Sequence, residues 1–546
     1  MTGLSSADHS VSPPRIDIPR EYNAAHDLIE RNLQAGRGAK IAYIDDCGSY
    51  TYGELSERVN RCANALVGLG LQSEQRVFLC LQDTIDFPTA FLGAIKGGLV
   101  PVAANTLLKS ADYRYMLNDS RASALIVSAS LLQQFAPLLA EMSRLKHVIV
   151  SRPEPGASAE HGGDSQSFPT LSLAALMAAA DLGFEPAATS CDDPCFWLYS
   201  SGSTGAPKGT IHAHASLIQT AELYARPIVG IREDDIVFSA PKLFFAYGLG
   251  NALTFPLSVG ATAVLMPQRP TPQTVFEQLQ KHRVTVFAGV PTLYASMLSA
   301  PPAPVSSGSF GLRTCISAGE ALPRDIGERW FRTFGVEILD GIGSTEMLHI
   351  FLSNRPGRVA YGTTGFAVPG YDLRLVDENG QPTPAGEIGE LQIAGPTCAM
   401  AYWNNREKTR QTFQGQWVRS GDKYYVDPQG HYIYAGRSDD MLKVSGMYVS
   451  PAEVESALIS HPAVLEAAVI GQQDADGLTK PLACVVLEEH AQAGEALSEQ
   501  LKQHVKGLLA PHKYPRRIQF LSELPKTATG KIQRFRLREL YGQSVS

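Results

Sequence analysis

The stretch YSSGSTGAPKG, Tyr199 to Gly209, concentrates residue types that can hold an anion. Gly202 and Gly205 let the backbone curl so that N–H groups point inward. Ser200, Ser201, Ser203 and Thr204 add hydroxyl donors and Lys208 a compact positive charge, a set that suits a polyphosphate. It is not a Walker loop. Pro207 replaces the second glycine, Gly209 stands where Ser or Thr would hold magnesium, and Thr210 and Ile211 continue as a strand rather than a helix. A flexible Gly/Ser linker is the alternative, but Phe196, Trp197 and Leu198 read as a buried strand just before it. Thr345 and Glu346 follow a strand ending near Leu339. A hydroxyl beside a carboxylate there can bind a phosphate oxygen and a magnesium ion, although the pair also reads as a helix N-cap with an acidic first turn. Asp422 and Arg437 flank a strand pair, Tyr424 to Val426 and Tyr432 to Tyr434. An acceptor-only carboxylate is what two vicinal ribose hydroxyls need; the bland reading is a surface ion pair worth about 0 to 1 kcal/mol. GLGNAL at Gly248 lacks the third glycine of a dinucleotide fingerprint and is set aside.

The elements that must position these residues are α/β in texture. Thr51 and Glu54 form a capping box ahead of apolar Leu55, Val59, Cys62, Leu66 and Val67, and Gly68 and Gly70 stop that helix. Strands are expected over Val77 to Leu81, Ala124 to Ser128, Val148 to Ser151, Ile236 to Ser239, Ala261 to Met266, Val284 to Val290 and Val336 to Leu339, with a helix over Thr274 to Lys281. Strands alternating with helices imply a large N-terminal α/β domain with mixed or parallel sheets flanked by helices. Arg152 to Ser167, rich in Pro, Gly, Ser and charge, reads as a surface loop. Past Gly436 a second texture begins: helix Pro451 to Ser460, strands Leu465 to Ile470 and Pro481 to Leu487, helix Ser498 to Leu509, strand Arg517 to Leu521. That is enough for one small α/β domain. The expected division is a loose tail over 1–22, a large domain over 23–437 and a small one over 438–546.

Length and composition agree. The 546 residues are 44% hydrophobic and 18% charged, which supplies several cores and excludes a disordered chain. Forty-seven basic against 54 acidic residues leave a net charge of −7, which argues against nucleic acid as a partner. No apolar run approaches the ~18 residues that span a bilayer, so no membrane association is expected. The N-terminus lacks an apolar signal region. The eight cysteines are scattered, only Cys191 and Cys195 lying close, so reduced thiols in a cytoplasmic protein are expected.

Five stretches taken together resemble the adenylate-forming superfamily of acyl- and aryl-CoA synthetases, adenylation domains and luciferases. They are YSSGSTGAPKG, DGIGSTE (Asp340 to Glu346), SGDKYY (Ser420 to Tyr425), GRSDDMLKVSG (Gly436 to Gly446) and PKTATGKIQR (Pro525 to Arg534). They stand in the family's order and cover the chain from about residue 40 to its end. The resemblance implies ATP, magnesium and coenzyme A as the small molecules used, with a small mobile C-terminal domain. It assigns Thr345 to the α-phosphate, Glu346 to magnesium, and Asp422 with Arg437 to the ribose. It makes Ser317, Ala318, Gly319 and Glu320, with Asp340, Gly341 and Ile342, the enclosure of the adenine.

It also makes Lys531 the catalytic lysine. An ammonium there would offset the repulsion between a carboxylate and the α-phosphate. Asp439 falls where the family places its hinge, and a swing would exchange Lys531 for the segment Lys443 to Gly446. Gly446 would let a pantetheine arm pass close to its backbone, although a simple turn is the alternative. Phe245, Ala246 and Tyr247, with Gly341, Gly343, Leu348, His349 and Ile350, match the acyl pocket; His349 is equally readable as a core histidine. Two glycines at one wall suggest a flat slot, and no Lys or Arg among these positions would meet a charged ring substituent. Likeness to benzoate-CoA ligases within the group implies a small aromatic carboxylate, benzoate or a close analogue. The rival readings are a stand-alone adenylation domain that loads a carrier protein and an inactive ligand-binding homologue. Acetylation of Lys531 by a lysine acetyltransferase would delete its charge. The oligomeric state, monomer or homodimer, is left open.

Overall fold

The computed structural model describes residues 3–151, 168–202, 205–300, 311–438, 440–444, 447–474, 478–510, 513–526 and 532–542. Two large sheets dominate. An eight-stranded sheet runs in the order Ala401–Tyr402, Gly205–Ala213, Pro194–Gly202, Val100–Ala103, Arg76–Cys80, Ala124–Ser128, His147–Ser151, Thr170–Ser172. It is parallel from Pro194–Gly202 outward to Thr170–Ser172 and antiparallel at the other edge. A nine-stranded sheet has at its centre the parallel strands Thr262–Val264, Ile236–Ser239, Val286–Gly289, Thr314–Ser317 and Ile338–Gly343. These five are almost wholly buried, as continuous apolar runs covered on both faces must be. A smaller antiparallel sheet holds Asp372–Val376, Gly389–Ala394, Trp417–Val426 and Tyr432–Arg437. The expected mixed and parallel sheets are therefore present.

Local chemistry explains the elements read most cleanly. The helix Tyr52–Gly68 opens on the capping box: the Glu54 amide donates to Thr51 Oγ1 at 3.1 Å and the Thr51 amide to Glu54 Oε2 at 2.7 Å. Leu55, Val59, Cys62 and Leu66 are buried at helical spacing, whereas Val67 faces out, off that stripe. The strand expected over Val336 to Leu339 starts later and runs further, as Ile338–Gly343. Thr345 and Glu346 thus follow Gly343, not Leu339.

Residues from Leu442 to Tyr541 form their own apolar clusters around the strands Val464–Gln473, Thr479–Leu487 and Arg517–Phe520 and the helices Pro451–Ile459 and Glu495–Leu508.

The N-terminal segment is not loose. Ser6–Asp8 pairs with Arg15–Asp17 as an antiparallel hairpin, the Tyr22 amide donates to the Thr189 carbonyl at 2.9 Å, and Tyr22 is fully buried. Tyr22 is anchored by a group 167 residues along the chain, which no local pattern reveals. The expected surface loop Arg152 to Ser167 lies outside the described residues. Among the described residues no disulfide forms, Cys191 and Cys195 included. Among the described residues no helix is long and apolar enough to cross a membrane.

Candidate active site

The segment expected to hold phosphate is built mostly of two strands. Pro194–Gly202 and Gly205–Ala213 form an antiparallel hairpin in which Ser200 pairs with Lys208 and Gly202 with Gly205. Ser200, Ser201, Gly202 and Gly205 are therefore strand residues, and Ser203 and Thr204, between the strands, lie outside the described residues. The Ser200 hydroxyl is buried with no partner among the described atoms, as expected of a donor kept for a ligand.

Lys208 and Glu346 meet across one phenol. Tyr402 donates to Glu346 Oε1 at 2.7 Å, and the Lys208 ammonium sits 4.5 Å from the centre of the Tyr402 ring. Burial draws the Lys208 pKa below the ordinary lysine value; Glu346 opposes that shift, and the nearby Lys408 and Arg437 charges add to it. Tyr402 was not singled out in the sequence. Nothing in its local pattern marks it, since it reaches the site through cross-strand pairing with Thr210. His212 was missed for a related reason. Its Nε2 lies 2.8 Å from the Thr345 carbonyl, fixing the turn that carries Thr345, and full burial pushes its pKa down to about 4.

Asp422 and Arg437 stand directly opposite each other at the end of the strand pair they were expected to flank, Arg437 being the last residue of Tyr432–Arg437. Arg437 Nη1 donates to Asp422 Oδ1 at 3.2 Å and to the Ser420 carbonyl at 3.1 Å. Asp422 is buried, so the exposed ion-pair reading does not describe it. Gly421 between them has φ +73°, and a Cβ there would press on Arg437 Nη2 at 2.9 Å.

The residues expected to enclose the adenine lie where the pairing of two adjacent parallel strands ends, Ser317 opposite Asp340. Burial raises the Asp340 pKa to about 8, against hydrogen bonding from Ser317, Leu322 and Gly341. Ala318, Gly319 and Glu320 follow Ser317, and Gly341 and Ile342 follow Asp340 in its strand. The Ile532 amide, next in sequence to Lys531, donates to Glu320 Oε1 at 3.2 Å. The small domain thus reaches the segment expected to enclose the adenine through Ile532.

Tyr247, expected at the acyl pocket, is held at the same strand ends. The Tyr247 hydroxyl donates to the Ile316 carbonyl at 3.0 Å and the Gly289 carbonyl at 3.2 Å, so the ring is held at the ends of the parallel strands. Phe245 and Ala246 are half-buried beside it; Leu348 and Ile350 are buried. His349 is a core histidine: burial pushes its pKa down to about 3, its Nε2 faces the Tyr247 carbonyl at 3.3 Å, and its ring centre lies 4.5 Å from that of Phe255. It packs behind Tyr247 as a neutral ring. A Cβ on Gly343 would stand 2.5 Å from the His349 carbonyl oxygen, and one on Gly341 3.0 Å from Ile350 Cγ2. Both glycines are therefore required by the close approach of Ile350–Ser353, and a larger side chain at 343 strains that hairpin before it trims any slot.

Lys443 lies in the strand Leu442–Val444. Asp439, Gly446 and Lys531 lie outside the described residues, so the structure places neither the hinge nor the catalytic lysine.

The chain matches two family models: the AMP-binding enzyme over residues 29–403 and the AMP-binding enzyme C-terminal domain over 453–531. It is 64% identical to a benzoate–CoA ligase of Thauera aromatica, over 98% of this chain and 100% of that one. It is 49% identical to a 4-hydroxybenzoate–CoA/benzoate–CoA ligase of Rhodopseudomonas palustris, over 95% and 94%. The crystal structure of a benzoate CoA ligase from Burkholderia xenovorans LB400 superposes with a TM-score of 0.87 at 57% identity, covering 95% of this chain and 100% of that one. The chain belongs to the adenylate-forming family of AMP-binding enzymes.

Proposed function

We propose that this enzyme is an AMP-forming aryl-CoA ligase whose substrate is benzoate or a close analogue. One observation carries the reading. The Tyr247 hydroxyl binds the carbonyl of Ile316, the residue just before Ser317, so the aromatic residues expected at the acyl site and those expected at the adenine meet at one strand end. A ring in that slot would present its carboxylate toward Thr345, Glu346 and Lys208. The carboxylate oxygen attacks the α-phosphorus, the bond to pyrophosphate breaks, and benzoyl-adenylate forms; the thiol of coenzyme A then attacks the acyl carbon and AMP leaves. Lys208 and Lys531 offset the anionic charge that accumulates in the first step. Asp422, oriented by Arg437, holds the ribose. In the second step residues 438–546 rotate about Asp439 and bring Lys443 to Gly446 to the acyl carbon.

Magnesium fits a donor set of one carboxylate. Among the described residues no three His, Cys, Asp or Glu side chains cluster as a metal cage, and Mg²⁺ is usually held by one or two carboxylates together with phosphate oxygens. Glu346, oriented by Tyr402, is the residue that would hold it, and the ion would neutralise phosphate charge.

The reading is tested by comparing carboxylates. Benzoate should exceed octanoate in kcat/KM for CoA-dependent AMP release by more than about tenfold, since mismatch with a small aromatic pocket costs about 1 to 3 kcal/mol. Preference for octanoate would reject the aromatic slot. A high likeness to benzoate-CoA ligases along the whole chain supports the same substrate class.

A further inference from the structure

Glu222 is buried on the segment Ala221–Val229, a π-helix that runs past the acyl residues. A buried carboxylate needs partners. Arg226 Nη1 lies 3.2 Å from Glu222 Oε2, and Arg31 Nη1 lies 3.7 Å from Oε1. A shorter contact comes from the N-terminal hairpin: His9 Nε2 stands 2.6 Å from Glu222 Oε2, across 213 residues of sequence. The hairpin is itself fastened at its base. Ser5 donates to Asp27 Oδ2 at 2.6 Å, Tyr22 to the same oxygen at 2.7 Å, and Arg31 to Asp27 Oδ1 and to Ser5 Oγ, each at 2.7 Å.

Two residues after Glu222 stands Tyr224, which is fully buried. Helical residues two apart do not share a face, so the segment holds the hairpin with one side and offers Tyr224 on another. The Tyr224 ring centre lies 5.5 Å from His349 and 6.0 Å from Phe255, and His349 in turn packs behind Tyr247. A π-helix is a rare conformation that recurs at functional sites. Here an ion cluster grips it at Glu222, while Tyr224 packs against His349.

We propose that the N-terminal hairpin is a strap that positions the floor of the carboxylate pocket, with His9 as its positioning residue acting through Glu222 and Tyr224. The inference rests on the aryl-acid reading for its effect on substrate but not for its effect on the segment. His9 touches no substrate. Its loss loosens 221–229 and lets the Tyr224–His349–Tyr247 stack shift, which weakens binding of the ring and leaves the nucleotide residues in place.

The test uses the full chain with His9→Ala and His9→Gln, the glutamine keeping a donor at the reach of Nε2. Amide hydrogen exchange should rise over residues 221–229 in His9→Ala and return toward wild type in His9→Gln. With benzoate, His9→Ala should raise KM by about threefold to tenfold, the equivalent of one typical hydrogen bond, while KM for ATP stays unchanged. Exchange over 221–229 equal in all three proteins would overturn the strap. So would a parallel rise of both KM values, which marks general destabilisation. Absence of benzoate turnover in the wild type would instead reject the aryl-acid reading, and the exchange measurement would still decide the strap.

Discussion

Lys531→Ala should lose adenylation by about 10²- to 10³-fold, the scale of removing one group that stabilises transition-state charge, and still convert synthetic benzoyl-adenylate and coenzyme A to thioester at near the wild-type rate. The reason lies in which charges are present in each step. Carboxylate and α-phosphate repel each other only while the adenylate forms; once the mixed anhydride exists, the thiol meets a neutral acyl carbon. The Ile532 amide donates to Glu320, in the segment expected to enclose the adenine, an arrangement that suits the first step. Pyrophosphate exchange measures that step, and single-turnover thioester formation the second. Equal losses in both would contradict a division of labour between two domain arrangements. Acetylated Lys531 should behave as the alanine variant does, since acetylation also removes the charge.

Glu346→Gln should lower adenylation by a comparable factor and raise the magnesium concentration needed for half-maximal rate, because the amide keeps the shape of the carboxylate and loses its charge. Tyr402→Phe removes only the 2.7 Å hydrogen bond to that carboxylate. Its effect should be about tenfold, the value of one hydrogen bond to a charged group. The ring, and its contact with Lys208, remains. A magnesium titration of pyrophosphate exchange checks both variants. A Glu346→Gln enzyme with wild-type magnesium dependence would remove Glu346 from the metal.

The sequence was legible where the chemistry is local. Thr51 and Glu54 announce a helix start because both halves of the capping box lie within one turn. Ile236–Ser239 was read to its exact ends as an apolar run bounded by polar residues. The phosphate segment was legible from residue type, yet its hairpin geometry was not, since serines and glycines give no strand period. Glycine also hid the end of Ile338–Gly343: residues 341 and 343 have no side chain to alternate, and only the close approach of Ile350–Ser353 explains them. Asp422 and Arg437 were paired by type and spacing. Tyr402, His212 and the N-terminal hairpin were out of reach, because their partners stand 56, 133 and 213 residues away. Such contacts depend on how the sheets stack, and no short window contains that information.

The most direct measurement of the central claim is product analysis of one reaction: the purified chain, benzoate, ATP, magnesium and coenzyme A, with no other protein present. AMP and benzoyl-CoA are quantified together by chromatography. Formation of benzoyl-CoA in equal amount to AMP is the predicted result. Benzoyl-adenylate or AMP without thioester, turned into product only when a carrier protein is added, would contradict it and identify the chain as an adenylation enzyme serving a different acceptor.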